Sequence, residues 1–224
     1  MEFKGKRILV VGIARSGIAA VKSLTAREAV LFACERKTSD EIGDILLEME
    51  ALGVDVYAGS YPQVSKDRFD LLIASPGVPL DIEPFIQANN AGVPVIGELE
   101  LAYLLKPDVV DLYAISGTNG KTTTVSLLQA ILAADGRRAL AGGNIGIPLT
   151  TLVDSMTEGV IVVEASSFQL ETTCHFRPHI SALINITPDH LDRHKSMEGY
   201  IKAKSRIFSN QKRDDYAVLN YEDL

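Results

Sequence analysis

A glycine-rich loop between an apolar run and a helical pattern constrains the fold of this chain more than any other feature. Residues 116–123 read SGTNGKTT, the mostly apolar residues 111–115 are typical of a strand, and residues 123–134 have the apolar spacing of a helix. Glycines let backbone N–H groups point at phosphate oxygens, and the helix that follows adds unsatisfied donors. This order predicts a phosphate-binding loop in an α/β fold, although Ile115 stands where the complete motif has glycine.

The residue types within the loop predict how it would hold a nucleotide. The Lys121 ammonium would reach the terminal phosphates, and the Thr122 hydroxyl would bind Mg²⁺. The remaining residues would surround the phosphates with backbone groups. The predicted ATP-binding residues are Gly117, Thr118, Asn119, Gly120, Lys121, Thr122 and Thr123.

Composition limits the class of protein. The chain has 224 residues, of which 46% are hydrophobic and 23% charged, as in ordinary globular proteins. Its 22 basic and 29 acidic residues give a formal net charge of −7, which argues against a duplex nucleic-acid binder. Two cysteines provide no disulfide framework. Because neither a signal peptide nor a membrane-length apolar run is visible, we expect a cytoplasmic protein that binds no membrane.

The first part of the chain begins with a strand, a glycine turn and a helical pattern. Residues 7–11 are apolar, the turn reads GIARSG, and a second apolar run ends at Glu35. This order is typical of a dinucleotide-binding unit, but Ala14 replaces the middle glycine and its methyl group would hinder the approach of a pyrophosphate. The alternatives are a tight turn without a ligand and a solvated Glu35.

Alternating strand and helix patterns continue to the end of the chain and divide it into two units. We predict a Rossmann-like parallel sheet in residues 1–99, followed by an incomplete P-loop ATPase-like α/β domain in residues 100–224. Ligands of such sheets lie beyond the carboxyl ends of the strands. The turn after the first strand, Glu35 and the turn at residues 75–77 would therefore form the rim of one pocket.

Polar residues also follow the apolar strands of the second unit. Glu164 ends the run at residues 159–163, and His190 follows the run at residues 181–187. A carboxylate at the end of a buried strand near a phosphate loop is a usual ligand of Mg²⁺. Each residue alone is more often a solvated strand end or a hydrogen-bonded loop residue. Their convergence with Lys121 on one edge of the sheet favours the functional interpretation.

Lys204 lies on the apolar face of the last predicted helix, residues 196–208. Tyr200 and Phe208 stand four positions before and after it. Burial disfavours a charged amine, and a neutral amine can react with CO₂ to give a carbamate, which is an anionic metal ligand. The alternative, which the residue types alone favour, is a lysine whose stem packs while its ammonium reaches water.

Four motifs together resemble those of the Mur ligases, the ATP-dependent amide-forming enzymes of peptidoglycan synthesis, cell wall biogenesis, cell shape and cell division. The motifs are GTNGKTT at 117–123, GNIG at 143–146, EASSFQLE at 164–171 and DHLDR at 189–193. Asn119, the SSFQLE run and the first βαβ unit resemble the branch that adds D-glutamate to UDP-N-acetylmuramoyl-L-alanine. Another ligase of the folylpolyglutamate or diaminopimelate-adding type, and a non-catalytic UDP-sugar-binding module, are the alternatives.

The resemblance implies roles for individual residues. ATP would phosphorylate the alanine carboxylate of the substrate, and the amine of D-glutamate would attack the acyl phosphate. Lys121, His190 and Lys204 would be catalytic. Thr122 and Glu164 would hold one Mg²⁺ ion, while His190 and carbamylated Lys204 would hold a second, with Lys202 as the alternative to Lys204. The implied substrate-binding residues are Ala14, Arg15, Ser16, Gly17, Glu35, Lys37, Ser75, Gly77, Asn144 and Ser166.

The length of the chain departs from this resemblance. Complete ligases of the family have a larger central domain and a third domain that brings adenine contacts and the D-glutamate pocket. We therefore expect this chain to be an amino-terminal fragment of a monomeric enzyme. It would hold the uridine nucleotide but would not complete the reaction alone.

Overall fold

The structure is a computed structural model that describes residues 2–222. The chain divides into two compact units between Leu101 and Ala102. Each unit has one five-stranded sheet in which every neighbouring pair of strands is parallel. The α/β class with parallel sheets, predicted from the alternating patterns, is confirmed. Within residues 2–222, no helix is both long and apolar enough to cross a lipid bilayer.

The first unit has the strand order β3-β2-β1-β4-β5, the order of the first five strands of the Rossmann fold. Strand β1 lies at the centre, where Ile8, Leu9, Val10 and Val11 are all buried, as expected for a strand covered on both faces. Its elements are β1 (Arg7–Val11), α1 (Arg15–Thr25), β2 (Val30–Glu35), α2 (Gly43–Ala51), β3 (Asp55–Ala58), β4 (Leu71–Ala74), α3 (Glu83–Ala91) and β5 (Val95–Gly97).

The second unit has the strand order β10-β9-β6-β8-β7, so the strand that leads into the glycine loop is again central. Helix α4 (Glu98–Leu105) crosses the division between the units. The elements that follow are β6 (Val110–Ser116), α5 (Lys121–Ala134), β7 (Ala139–Gly143), α6 (Leu149–Ser155), β8 (Gly159–Glu164), α7 (Ser167–Leu170), β9 (Ile180–Leu183), α8 (Leu191–His194), α9 (Met197–Ser205) and β10 (Tyr216–Leu219).

Several bounds differ from those predicted, each for a local reason. Alternating patterns did not mark the short 3₁₀ turn Ser39–Glu41, which forms before α2 because Thr38 and Glu41 cap each other. Helix α5 starts at Lys121, two residues early, directly after Gly120, whose φ is +80°. The strand predicted at residues 181–187 stops at Leu183, and the chain then turns along the glycine loop.

Candidate active site

The glycine loop between β6 and α5 is held by the segment that follows β9. The Asn185 side-chain oxygen accepts from the backbone N–H groups of Thr118 (3.0 Å) and Asn119 (2.8 Å), and its amide donates to the Asn119 carbonyl (2.9 Å). Thr118 Oγ1 also contacts the backbone of Thr187. Two of the loop amides are therefore already paired. The first N–H groups of α5, at residues 121–123, have no acceptor within the helix and are the donors that could face a phosphate.

Two lysines converge on one carbonyl of this loop. Lys121 Nζ donates to the carbonyl oxygens of Gly117 (3.0 Å) and Thr118 (2.8 Å), and Lys204 Nζ donates to the same Gly117 oxygen (2.6 Å). Burial, together with the charge of Lys121, lowers the pKa of Lys204 to about 8. A site with two cationic groups around a single neutral acceptor favours an anionic ligand such as phosphate.

Lys204 points inward, as the helical pattern predicts. Its side chain is 1% exposed, whereas Lys202, the alternative, is exposed. The interpretation that the residue types alone favoured, a packed stem with its ammonium in water, is therefore wrong. The backbone of α9 places residue 204 on the face that covers the loop, and the Gly117 carbonyl supplies the acceptor that a buried ammonium requires.

Glu164, the last residue of β8, is only 2% exposed. One carboxylate oxygen accepts from Thr122 Oγ1 (2.8 Å) and the other from the Asn144 side-chain amide (2.9 Å). These three predicted residues thus meet at the carboxyl ends of neighbouring strands. Gly143, with φ of +101°, allows this approach, because a Cβ there would lie 2.6 Å from the Glu164 carbonyl oxygen. A hydroxyl beside a carboxylate is a donor set that suits Mg²⁺.

His190 lies beside Asp189 and Phe168. Its Nε2 is 3.4 Å from Asp189 Oδ2, and its ring centroid is 4.9 Å from that of Phe168. His190 has a left-handed backbone with φ of +51°, which is uncommon outside glycine and is often found at functional positions. No group of three or more His, Cys, Asp or Glu side chains in the described residues could hold a metal ion.

A cluster of charged, histidine and serine side chains links the EASSFQLE and DHLDR motifs. Sequence reasoning assigned its contacts no role. Glu171 binds Arg193 (2.8 Å) and faces His194 Nδ1 (3.2 Å), and His194 Nε2 contacts Ser167 Oγ (2.9 Å). Burial lowers the pKa of His194, which favours the neutral ring. The available signal was that all four residues lie within or beside the EASSFQLE and DHLDR motifs.

Tyr200 contacts the glycine loop, whereas Ser166 precedes helix α7. Tyr200 is 1% exposed, its hydroxyl oxygen is 3.2 Å from Thr118 Oγ1, and burial raises its pKa. The Ser166 hydroxyl, predicted to bind substrate, donates to Gln169 Oε1 and also accepts from the Gln169 N–H, so that it caps α7. Its side chain is thus engaged within the protein.

The rim of the first unit surrounds a cavity of about 370 Å³. Glu35 accepts from the backbone N–H groups of Ile13 (3.2 Å), Arg36 (2.9 Å) and Lys37 (3.4 Å). Ser75 Oγ donates to the Gly12 carbonyl (2.6 Å) and is buried. The lining includes Gly12, Cys34, Glu35, Tyr61, Gly77 and Val78.

The other substrate residues predicted in this unit differ in exposure. Gly17 is buried beneath the turn, Ser16 is half-buried, and the remaining members, Ala14, Arg15 and Lys37, are exposed. Ala14 and Arg15 belong to the glycine turn, and Lys37 follows Glu35.

Comparison with known proteins finds related sequences over most of the chain. The model of the Mur ligase MurD-like, N-terminal domain matches residues 6–97, and that of the Mur ligase middle domain matches residues 115–224. Proteins named UDP-N-acetylmuramoylalanine--D-glutamate ligase are similar over the whole chain. The one from Thermoanaerobacter sp. (strain X514) is 45% identical and the one from Geotalea daltonii 47% identical, and the match covers 49% of each. The chain spans about half the length of the curated relatives it matches.

Solved structures show the same fold at low identity. The UDP-N-acetylmuramate-alanine ligase of Thermotoga maritima is 23% identical with a TM-score of 0.55, and the match covers 97% of this chain and 50% of that one. A UDP-N-acetylmuramate:L-alanyl-gamma-D-glutamyl-meso-diaminopimelate ligase from Neisseria meningitides is 22% identical with a TM-score of 0.59, over 97% and 72% of the two chains. With both family models matched in sequence, this chain belongs to the Mur ligase family.

Proposed function

We propose that this chain forms part of an ATP-dependent ligase that adds D-glutamate to UDP-N-acetylmuramoyl-L-alanine in peptidoglycan precursor synthesis. The observation that carries the proposal is the arrangement around one sheet edge, where Lys121 and Lys204 meet at Gly117 and Glu164 meets Thr122. Relatives named for this activity, similar over all 224 residues, support the choice of substrates. We assign the uridine nucleotide to residues 1–99 and ATP to residues 100–224.

In this proposal the second unit works as a P-loop ATPase-like domain. The phosphates of ATP take the place of the Gly117 carbonyl as the partner of Lys121, and the amides at residues 121–123 face the phosphate oxygens. Thr122 and Glu164 would hold Mg²⁺, which supplies positive charge to the phosphate oxygens when bound. The buried carboxylate and its hydroxyl neighbour fit the oxygen ligands that this ion prefers.

His190 and a carbamylated Lys204 would hold the second ion. An ammonium cannot bind a cation, so Lys204 must first lose its proton. With a pKa of about 8, Lys204 has a neutral fraction near neutral pH. Its nitrogen can then attack the carbon of CO₂ and release a proton, which leaves an anionic carbamate oxygen.

The chemistry divides into two steps. The alanine carboxylate attacks the γ-phosphorus of ATP, ADP leaves, and an acyl phosphate forms. The amine of D-glutamate attacks the acyl carbon, loses a proton and expels phosphate. Lys121 contributes fixed positive charge where the phosphoryl group moves, and Asn144, bonded to Glu164, would help to position the substrate.

The first unit would take the uridine end in its cavity, where Glu35 offers carboxylate oxygens and Ser75 and Gly77 shape the rim. Because both proposed nucleotide substrates belong to the cytoplasm, we place the enzyme there. We also propose that it acts as a monomer.

The test is phosphate release by the full-length gene product supplied with ATP, UDP-N-acetylmuramoyl-L-alanine and D-glutamate. We expect release that depends on D-glutamate, and none from the 224-residue chain alone, since the relatives are about twice as long. Preference for a folate or a UDP-muramoyl-tripeptide would support another ligase of the superfamily. Tight UDP-sugar binding without ATP turnover would support a non-catalytic module.

A further inference from the structure

Tyr200 connects helix α9 to the glycine loop through its hydroxyl group. The side chain is 1% exposed, and its hydroxyl oxygen is 3.2 Å from Thr118 Oγ1. This contact joins residues that are 82 positions apart in the chain. A buried tyrosine hydroxyl generally needs such a partner, so the pair fixes the position of the ring relative to the loop.

The proton in this contact comes from Tyr200. Thr118 Oγ1 donates its single proton to the Thr187 carbonyl (3.1 Å) and accepts from the Thr187 N–H (3.0 Å). Its remaining lone pair can only accept, so the Tyr200 hydroxyl is the donor. The Thr118 hydroxyl is then fully satisfied, with Tyr200 on one side and Thr187 on the other.

The ring of Tyr200 also contacts Lys204, which itself binds the loop. Lys204 Nζ lies 4.6 Å from the ring centroid, a cation–π distance, and donates to the Gly117 carbonyl. The ring centroid of His194 lies 5.1 Å from that of Tyr200. Tyr200 therefore supports residues 117 and 118 at once, one through an ammonium and the other through a hydroxyl.

We propose that Tyr200 is a positioning residue of the ATP site, which holds the loop at Thr118. The inference rests on the function proposed above. In this role Tyr200 contacts neither the nucleotide nor the reacting atoms. It sets the position of the loop, because its hydroxyl joins α9 to a segment that lies 82 positions away in the chain.

Tyr200→Phe tests the hydroxyl alone, because the ring and its contact with Lys204 remain. In the full-length gene product we expect the KM for ATP to rise by about 3- to 10-fold, the effect of losing one hydrogen bond. Amide hydrogen exchange of the peptide that covers residues 117–119 should accelerate by about the same factor. Tyr113→Phe is the matched control, since Tyr113 is also a buried tyrosine of the second unit and contacts His179 rather than the loop.

A double-mutant cycle separates positioning from a general loss of stability. In a Thr118→Val background the acceptor is already gone, so Tyr200→Phe should add less than about 2-fold to either measurement. The inference is overturned if Tyr200→Phe matches Tyr113→Phe in both measurements, or if its effect is the same in the Thr118→Val background. Should the wild-type protein turn over no ATP, the proposed function fails, yet the exchange of residues 117–119 still decides the role of Tyr200.

Discussion

The turns that follow the central strands of the two sheets have the same place in the topology, but different side chains surround them. Gly12 lies between β1 and α1, and Gly117 lies between β6 and α5. The Gly12 carbonyl accepts from one neutral group, Ser75 Oγ, whereas the Gly117 carbonyl accepts from the ammonium groups of Lys121 and Lys204. The fold supplies the same helix N-terminus twice, and the side chains around it decide which ligand it can hold.

The two turns also differ in the space beside them and in the partners of the nearby acidic residue. The third residue of α1 is Gly17, buried so closely that a Cβ would overlap the Gly12 carbonyl oxygen, whereas the third residue of α5 is the exposed Thr123. The strand-end acid Glu35 accepts from backbone N–H groups near the first turn. Glu164 instead binds side chains that suit a metal ion. The second turn therefore suits a metal-bound phosphate, and the first turn has neither the two lysines nor this pairing of a carboxylate with a hydroxyl.

The largest expected difference between the two turns comes from the first residue of each helix. In the proposed function, Lys121→Ala removes a charge that faces the transferring phosphoryl group, so turnover of ATP by the full-length protein should fall by about 10²- to 10³-fold. Arg15→Ala changes the matching position of α1 and should mainly raise the KM for the UDP-linked substrate. Steady-state kinetics on both variants measures this, and equal losses of ATP turnover would remove the distinction.

The strand-end acids give the second comparison. Glu164→Gln should weaken the apparent affinity for Mg²⁺ by about 10- to 100-fold, because a neutral amide replaces the charged carboxylate that the proposed function assigns to this ion. Glu35→Gln should leave the Mg²⁺ dependence unchanged and alter the UDP-substrate KM. Titration of activity with Mg²⁺ separates them, and an unshifted curve for Glu164→Gln would contradict the assignment.

Close packing of α1 on its turn predicts an effect on stability. Alanine ordinarily favours a helix over glycine, yet Gly17→Ala should lower the free energy of unfolding by about 1–3 kcal/mol, because its methyl group has no room beside Gly12. Gly77→Ala, where nothing lies within 4 Å of the added Cβ, is the control. Urea unfolding of the chain is the measurement, and a stabilised Gly17→Ala variant would show that the turn is loosely packed.

Each unit also has an ion pair outside its proposed site in which an arginine binds an aspartate, and these two pairs should respond alike to acid. Arg7 and Arg177 each bind a carboxylate through two nitrogens, which lowers the pKa of Asp70 and of Asp215 to about 2. The stability from each pair is present above the ordinary pKa near 3.8 and is lost as the pH falls from there toward 2. Unfolding measured across this range should be less pH-dependent in Asp70→Asn and Asp215→Asn, and unchanged profiles would rule out this contribution.

The smallest effect concerns the two cysteines. Cys34 is buried at the first cavity, and burial raises the pKa of its thiol to about 12, whereas Cys174 is exposed. A thiol-specific reagent should therefore label the folded chain once, at Cys174, and twice after denaturation. Rapid labelling of Cys34 in the folded chain would show that the reagent reaches this thiol through the cavity.

The parts of this molecule that sequence could predict are those encoded locally. Apolar runs such as residues 7–11 and the glycines around Lys121 specify strands and a turn through neighbours along the chain. The contacts of Asn185 and Tyr200 with the loop join residues more than 60 positions apart, so no local pattern marks them. The inward direction of Lys204 was visible in helical spacing, but its acceptor, the Gly117 carbonyl, was not.

The most direct test of the central claim is the equilibrium binding of a fluorescent ATP analogue, with Mg²⁺, to the full-length protein and to its Lys121→Ala and Arg15→Ala variants. We predict that ATP and not a uridine nucleotide displaces the analogue, that Arg15→Ala binds it like the wild type, and that Lys121→Ala loses most of the affinity. Undiminished binding by Lys121→Ala together with loss in Arg15→Ala would place the ATP phosphates at the wrong turn and contradict the account.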